Sequence, residues 1–370
     1  MGRNRRFAIP HRRPLSAAVV VIVVLVVSQF ARPDNEAPAY RDHSRLLVFR
    51  DKSGAEQPVR SPADWEKRRS DILTAMQQVM GPLPAARQKV PLDVRLIEES
   101  TTETFVRKKM TIATETGDRL PLYLFVPKGS TGRRPAVLCL HPTNRPLGKG
   151  VVAGFGDTPA LAYAIHLAER GYVTLAPDYV NMGEYRFDPY GPGYASATMK
   201  GVWNHICCVD LLRSLPDVDG DRIGALGHSL GGHNSMFLAA FDERVKCVVS
   251  SCGFCSFPRY MKGDLTGWSH DGYMPRIRTV YGRDPAKMPF DFPEVVAAIA
   301  PRPFLVCAPI RDPNFDVQGV RDCLTAAKPA YDLLNVGDRV RGIYPDAGHD
   351  FPSETRSVAY DWFDRWLKGS

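Results

Sequence analysis

Between residues 91 and 127, apolar positions alternate with polar ones or run in short blocks between turn residues. Val94 to Ile97, Phe105 to Ile112 and Leu120 to Val126 therefore read as a β-meander. From Ala136 the rhythm changes. Ala136 to Leu140, Tyr172 to Ala176, Arg222 to Leu226, Val245 to Ser250, Phe304 to Ala308 and Val340 to Tyr344 are short, mostly apolar runs, the pattern of buried strands. Helical spacing fills the gaps. Thr158-Pro159 opens a helix through Leu161, Ile165 and Ala168 to Gly171, and others span Met199 to Leu212 and Leu230 to Phe241. The last helix carries Val358, Trp362, Phe363, Trp366 and Leu367 at spacings of three and four. An earlier one starts at Ser61-Pro62, a capping hydroxyl followed by the residue best suited to the first helical position, and stops at Gly81-Pro82.

Buried strands alternating with amphipathic helices predict an α/β fold. The expected architecture is a mostly parallel central sheet with helices on both faces, preceded by the antiparallel meander. Residues 253–293, rich in aromatics, Gly and Pro, break the alternation and predict a small cap-like insertion. One domain over residues 61–370 accounts for this pattern, and the polar, Pro/Arg-rich stretch 32–60 reads as a tether.

Charge changes the picture at the N-terminus. The chain of 370 residues has a net charge of +8, which raises nucleic acid as a partner. Yet Arg3, Arg5, Arg6, Arg12 and Arg13 stand ahead of an apolar run, Leu15 to Ala31. A basic head and a short apolar run form the outline of a signal peptide, or of a signal anchor if uncleaved. The expectation is export, with membrane contact only through residues 1–31. Without those five arginines, 43 basic residues face 40 acidic ones, a balance of +3. No later basic run is interleaved with aromatics, so nucleic acid is not an expected partner. A hydrophobic share of 44% and a charged share of 24% also exclude long disorder and a multi-span membrane protein.

The eight cysteines sit mostly within apolar runs and read as buried thiols. Cys252-Gly253-Phe254-Cys255 has C-x-x-C spacing, but no second pair accompanies it, so a structural zinc is not expected.

The chemistry gathers around Gly227-His228-Ser229-Leu230-Gly231, a G-x-S-x-G motif between a predicted strand and a predicted helix. That context is a nucleophile elbow, with Ser229 exposed at the strand's carboxyl end. A serine hydroxyl needs a base, and His349 lies in the loop after the last strand, at the same sheet edge. The base needs an acid to fix its tautomer. Asp312 follows the strand Phe304 to Ala308 most closely, with Asp316 as competitor. The backbone N–H groups of Leu230 and of Thr143 are the expected oxyanion donors, with Asn144 in reserve. His141 and His228 read as packed histidines, and Asp178 as a brace for its loop. Tyr179 and Glu184 are candidate pocket residues. Trp268, His270 and Tyr273 fall in the cap as candidate substrate contacts, Tyr179 and Trp268 leading. No metal or organic cofactor is required.

With Leu140-His141-Pro142-Thr143, Ala176-Pro177-Asp178-Tyr179, Gly227 to Gly232, Ala300-Pro301-Arg302-Pro303 and Gly348-His349-Asp350-Phe351 in place, the chain resembles the dienelactone hydrolase-like and acetyl xylan esterase-like branch of the α/β-hydrolases. The resemblance spans about residues 61–370. It implies an α/β-hydrolase fold, a Ser-His-Asp triad and a carboxylic ester substrate, with acetylated carbohydrate the leading guess. Two departures stand out: Ser229 replaces the cysteine nucleophile of dienelactone hydrolases proper, and Pro142 replaces the Gly usual after the His of the oxyanion loop. A prolyl-oligopeptidase-like peptidase and a non-catalytic binding protein on the same fold are the alternatives.

Overall fold

The computed structural model describes residues 1–2, 40–84, 90–129 and 132–369. The expected signal segment, residues 1–31, lies outside the described residues from residue 3 onward. Residues 36–370 form one compact unit. Among the described residues, no helix is long and apolar enough to cross a membrane.

The expected tether is ordered structure from Tyr40 onward. Strands β1 (Val48–Arg50) and β2 (Glu56–Pro58) pair as an antiparallel hairpin. Leu46, Phe49 and Val59 are buried, because this arm lies against α1 (Pro62–Met80). The Tyr40 hydroxyl donates to Asp71 of α1 at 2.6 Å, and the Lys67 ammonium sits 4.6 Å from the Phe49 ring centroid. Ser61 caps α1, its hydroxyl accepting from the Asp64 N–H.

A nine-stranded sheet carries the rest. The meander is β3 (Arg95–Thr101), β4 (Phe105–Glu115) and β5 (Asp118–Pro127), all antiparallel. The parallel part is β6 (Arg134–Leu140), β7 (Val173–Pro177), β8 (Val218–His228), β9 (Val245–Ser251), β10 (Phe304–Cys307) and β11 (Val340–Ile343). The order across the sheet is β11-β10-β9-β8-β6-β7-β5-β4-β3. This is the α/β-hydrolase fold anticipated above.

Both faces are covered. Ala136, Leu138 and Leu140 pack into the core under α1, α3 (Ala197–Ser214), α4 (Leu230–Phe241), α6 (Phe292–Ile299) and α7 (Val317–Leu333). Val137 and Cys139 face the other core, with α2 (Tyr163–Glu169) and α8 (Ser353–Phe363). Alternate side chains of one strand thus feed two apolar layers, which is why β6 reads as an unbroken apolar run. The helix expected from Thr158 is shorter than the pattern implies: a 3-10 turn at Pro159–Leu161 precedes α2.

Residues 253–293 form short turns and one small helix, α5 (Arg276–Thr279), before α6 begins. Leu265, Trp268, Met274, Ile277 and Phe290 are buried there.

The sheet order places the chemistry. From β6 the chain steps to β7 on one side, while β8 lies on the other. Such a switch point opens a crevice at the carboxyl ends of the two strands. The loops after β6 and β8 hold Thr143 and Ser229.

Candidate active site

Ser229 occupies the turn between β8 and α4 with φ 54° and ψ −117°, a strained backbone for a residue with a side chain. Its own N–H holds the turn by donating to the Ser251 carbonyl at 2.8 Å. The flanking glycines are required by contact. A Cβ on Gly227 would lie 2.1 Å from the Gly231 carbonyl carbon, and one on Gly231 would lie 1.9 Å from the Leu140 carbonyl oxygen. Only backbone fits where α4 crosses the end of β6.

His349 and Asp312 come together because their loops are laced backbone to backbone. The Ile310 and Arg311 N–H groups donate to the carbonyls of Pro345 and Ala347, each at 3.0 Å. His349 Nδ1 lies 2.9 Å from Asp312 Oδ2 and 3.0 Å from Oδ1. A carboxylate only accepts, so Nδ1 carries a proton, and in the neutral ring Nε2 is then the nitrogen with a free lone pair. The Asp312 side chain is 1% exposed and that of His349 is 22% exposed. Burial pushes the Asp312 carboxyl up. The hydrogen bond and charge of His349, with the N–H groups of Asn314 and Phe315, outweigh it and hold the carboxyl below its ordinary range. Asp316 sits elsewhere: it caps α7, accepting from the Gly319 N–H at 3.0 Å.

The ring of His228, the last residue of β8, packs 4.9 Å from that of His349. Its Nδ1 lies 3.0 Å from the Ser251 hydroxyl, and burial, with His349 nearby, pushes its pKa down to about 3. It is a neutral packed histidine, as expected. Among the described residues the Ser229 hydroxyl makes no hydrogen bond; pairs of this kind often tighten only with substrate bound. Ser229 and His349 are both partly exposed at the same edge.

The N–H groups of Leu230 and Thr143 have no acceptor among the described residues. Leu230 opens α4, so its N–H has no partner within the helix and points with the positive helix end. Thr143 is exposed, and its hydroxyl lies 2.8 Å from that of Tyr273 in the cap. His141 behind it is buried. Its Nε2 accepts from the Tyr179 N–H at 2.9 Å and its Nδ1 donates to the Pro142 carbonyl at 2.7 Å. Asp178 braces the loop by accepting from the backbone N–H groups of Lys149 and Glu184 and from the Lys149 ammonium. Glu184 is half exposed and paired with Lys109 and Lys149.

Two expected substrate contacts are instead packing. Tyr179 is 3% exposed, and its hydroxyl donates to the Gly272 carbonyl at 3.0 Å, tying β7 to the cap. Trp268 is 2% exposed, enclosed by Phe257, Tyr260, Phe292, Phe315 and His233. Aromatics in a cap-like insertion signal its core as readily as a binding wall. The residues that do face open space were missed, His270 excepted. A cleft of about 690 Å³ is lined by Arg145, Arg186, Phe187, Tyr190, His270 and Asp271, among others. Arg145 follows Thr143 by two residues, and the His270 ring lies 4.2 Å from that of Tyr273, so the cleft adjoins the Thr143 loop.

Similarities to known proteins fit this geometry. YtaP of Bacillus subtilis (strain 168), whose name goes no further than hydrolase, is 24% identical over 303 residues, covering 78% of this chain and 97% of that one. The 4-O-methyl-glucuronoyl methylesterase 1 of Wolfiporia cocos (strain MD-104) is 23% identical over 331 residues, 84% of this chain and 78% of its own. The solved glucuronoyl esterase from Solibacter usitatus superposes with a TM-score of 0.68 over 89% of this chain and 98% of its own, at 20% identity; the likeness is one of fold. Residues 160–370, more than half the chain and spanning the elbow, Asp312 and His349, match the prolyl oligopeptidase family. With its elbow on an α/β-hydrolase sheet, the chain belongs to that family.

Proposed function

We propose that the protein is an exported serine hydrolase that cleaves carboxylic esters of carbohydrates. The observation that carries this reading is the Asp312–His349 pair, locked at the sheet edge where the Ser229 elbow opens. In the proposed reaction His349 Nε2 takes the Ser229 proton as Oγ attacks the ester carbonyl. Asp312 keeps Nδ1 protonated and stabilises the imidazolium that forms. The N–H groups of Leu230 and Thr143 receive the developing oxyanion. The imidazolium then protonates the departing alcohol, leaving an acyl-enzyme. Water, deprotonated by His349, releases the acid and restores Ser229.

The substrate class rests on the cleft and on the relatives. A cleft lined by arginines, aromatic rings and a histidine suits hydroxyl-rich or acidic sugars. Both the Wolfiporia cocos relative and the Solibacter usitatus neighbour are named for glucuronoyl esters. Acetylated carbohydrate, favoured by the sequence, and uronate esters are the two variants of the proposal. Export rests on the basic head and apolar run of residues 1–31.

A fluorophosphonate probe should label the protein, and Ser229→Ala should abolish labelling. Absence of labelling on the intact protein would favour a non-catalytic binding role. A panel of nitrophenyl acetate, acetylated xylo-oligosaccharide, a glucuronate methyl ester and a proline-containing peptide amide then ranks the substrates. The family match makes the peptidase reading the rival, and faster cleavage of the amide than of every ester would establish it.

A further inference from the structure

Cys252, the first cysteine of the C-x-x-C motif, stands beside the acid–base pair. It follows β9 with φ 47°, and its N–H donates to the Cys307 carbonyl at 2.9 Å. That turn puts the thiol under the His349 loop, where Sγ donates to the Asp350 carbonyl at 3.3 Å. Cys252 Sγ, a carboxylate oxygen of Asp312 and a ring nitrogen of His349 all lie within 4.8 Å of one another. The nitrogen facing Asp312 is Nδ1, at 2.9 Å.

These are the donors of a soft divalent cation. Zn–S bonds of about 2.3 Å and Zn–N or Zn–O bonds of about 2.0 Å put tetrahedral ligands roughly 3.3–3.5 Å apart. To reach that spacing the sulfur, within 4.8 Å of the other two donors, must move in by up to roughly 1.5 Å, while the 2.9 Å Nδ1–Oδ2 contact opens by about 0.4 Å. We propose that Cys252, Asp312 and His349 form a binding site for a thiophilic divalent cation such as Zn²⁺, and that occupancy switches the hydrolase off. This is a different arrangement from the paired C-x-x-C site that the sequence excludes, since Cys255 takes no part.

The proton balance explains the inhibition. The Cys252 thiol loses its proton to solvent and binds as thiolate. The proton on His349 Nδ1 moves to Nε2, freeing the Nδ1 lone pair for the ion. The imidazole stays neutral, one proton leaves per ion bound, and thiolate plus carboxylate balance the double charge. With Nε2 protonated, His349 has no lone pair left to accept the Ser229 proton. The partly exposed His349 side is the entry path.

The inhibition rests on the triad reading; the binding does not, and the experiment separates them. Full-length protein is titrated with Co²⁺, whose bond to a thiolate gives a near-ultraviolet charge-transfer band, and then with Zn²⁺ as competitor. One ion per chain with that band is expected for wild type and for Cys255→Ser. The band should vanish in Cys252→Ser and Cys252→Ala, with circular dichroism checking that each variant is folded. No band in wild type, or a band retained in folded Cys252 variants, overturns the proposal. In parallel, Zn²⁺ at saturation should lower wild-type ester hydrolysis by at least about tenfold and that of Cys252→Ser by less than about twofold. Equal loss in both overturns the switch. A cobalt site in a protein that hydrolyses no ester would leave the metal site standing and remove the esterase reading instead.

Discussion

The sharpest test of the triad geometry is Asp312→Asn. Oδ1 of Asp312 accepts from the Asn314 N–H at 2.8 Å and from the Phe315 N–H at 3.3 Å. An asparagine at this position must keep its oxygen there, because an amide NH₂ would face two donors. Its nitrogen then takes the place of Oδ2, 2.9 Å from His349 Nδ1. That nitrogen donates, and the remaining oxygen 3.0 Å from Nδ1 already accepts from two N–H groups, so the histidine favours the tautomer with its proton on Nε2, the wrong one for a base. The negative charge that stabilises the imidazolium is lost as well. Breaking this constellation costs roughly 10⁴ in kcat, or about 5.5 kcal/mol of transition-state stabilisation. Asp316→Asn is the matched control. Asn caps a helix about as well as Asp, so α7 keeps its Gly319 bond and activity should stay within about twofold. The assay is kcat/KM on a nitrophenyl ester, with thermal melts confirming that both variants fold. A loss below about tenfold for Asp312→Asn, or a larger loss for Asp316→Asn, would refute the assignment.

Two further outcomes follow from burial. Trp268→Ala should lower stability by about 4 kcal/mol, because a 2% exposed indole leaves a cavity among Phe257, Phe292 and Phe315. Urea unfolding measures it, and a loss of activity at unchanged stability would return Trp268 to the substrate. Asp291, the cap of α6, has its carboxyl pushed up to about 7 by burial, against an unfolded value of about 3.9. A raised carboxyl stabilises the fold fully below the unfolded pKa and loses that contribution as pH rises through about 7. Asp291→Asn keeps the oxygen that accepts from Phe257 and Phe292 but cannot ionise. Its stability relative to wild type should rise by up to about 4 kcal/mol between pH 4 and 7.5; a difference independent of pH would contradict the buried-carboxyl reading.

Apart from β11 at the sheet edge, the parallel strands were legible because their central residues are buried on both faces and read as apolar runs. The elbow was legible because G-x-S-x-G coincided with a change from strand to helical rhythm. Helix α7 was not. Its buried positions, Gly319, Val320, Cys323, Ala327, Ala330 and Tyr331, fall at helical spacing, but Gly319 near its start and Pro329 inside it read as breaks. Hairpin β1–β2 escaped because strands of three residues are too short to show a period. Asp312 was separable from Asp316 only by distance from the preceding strand; the structure adds that Asp316 is already used as a cap. Tyr179 and Trp268 show the limit of residue type: an aromatic in a loop carries no sign of whether it faces inward. The open cleft was missed because Arg145 and Arg186 come from separate loops that only folding brings together.

The crossing of α4 over the end of β6 has a consequence for how such a protein can change. The contact is main chain against main chain, so it is blind to which side chains fill the two apolar layers or the cap. Drift in either layer can repack without moving Ser229, and the 253–293 insertion can be rebuilt residue by residue. The price is rigidity at one spot: any side chain at Gly231 would meet the Leu140 carbonyl. On the proposed function, reactivity and selectivity are thus separately adjustable, and efforts to redirect the protein to a new ester should vary the cleft and leave the crossing alone.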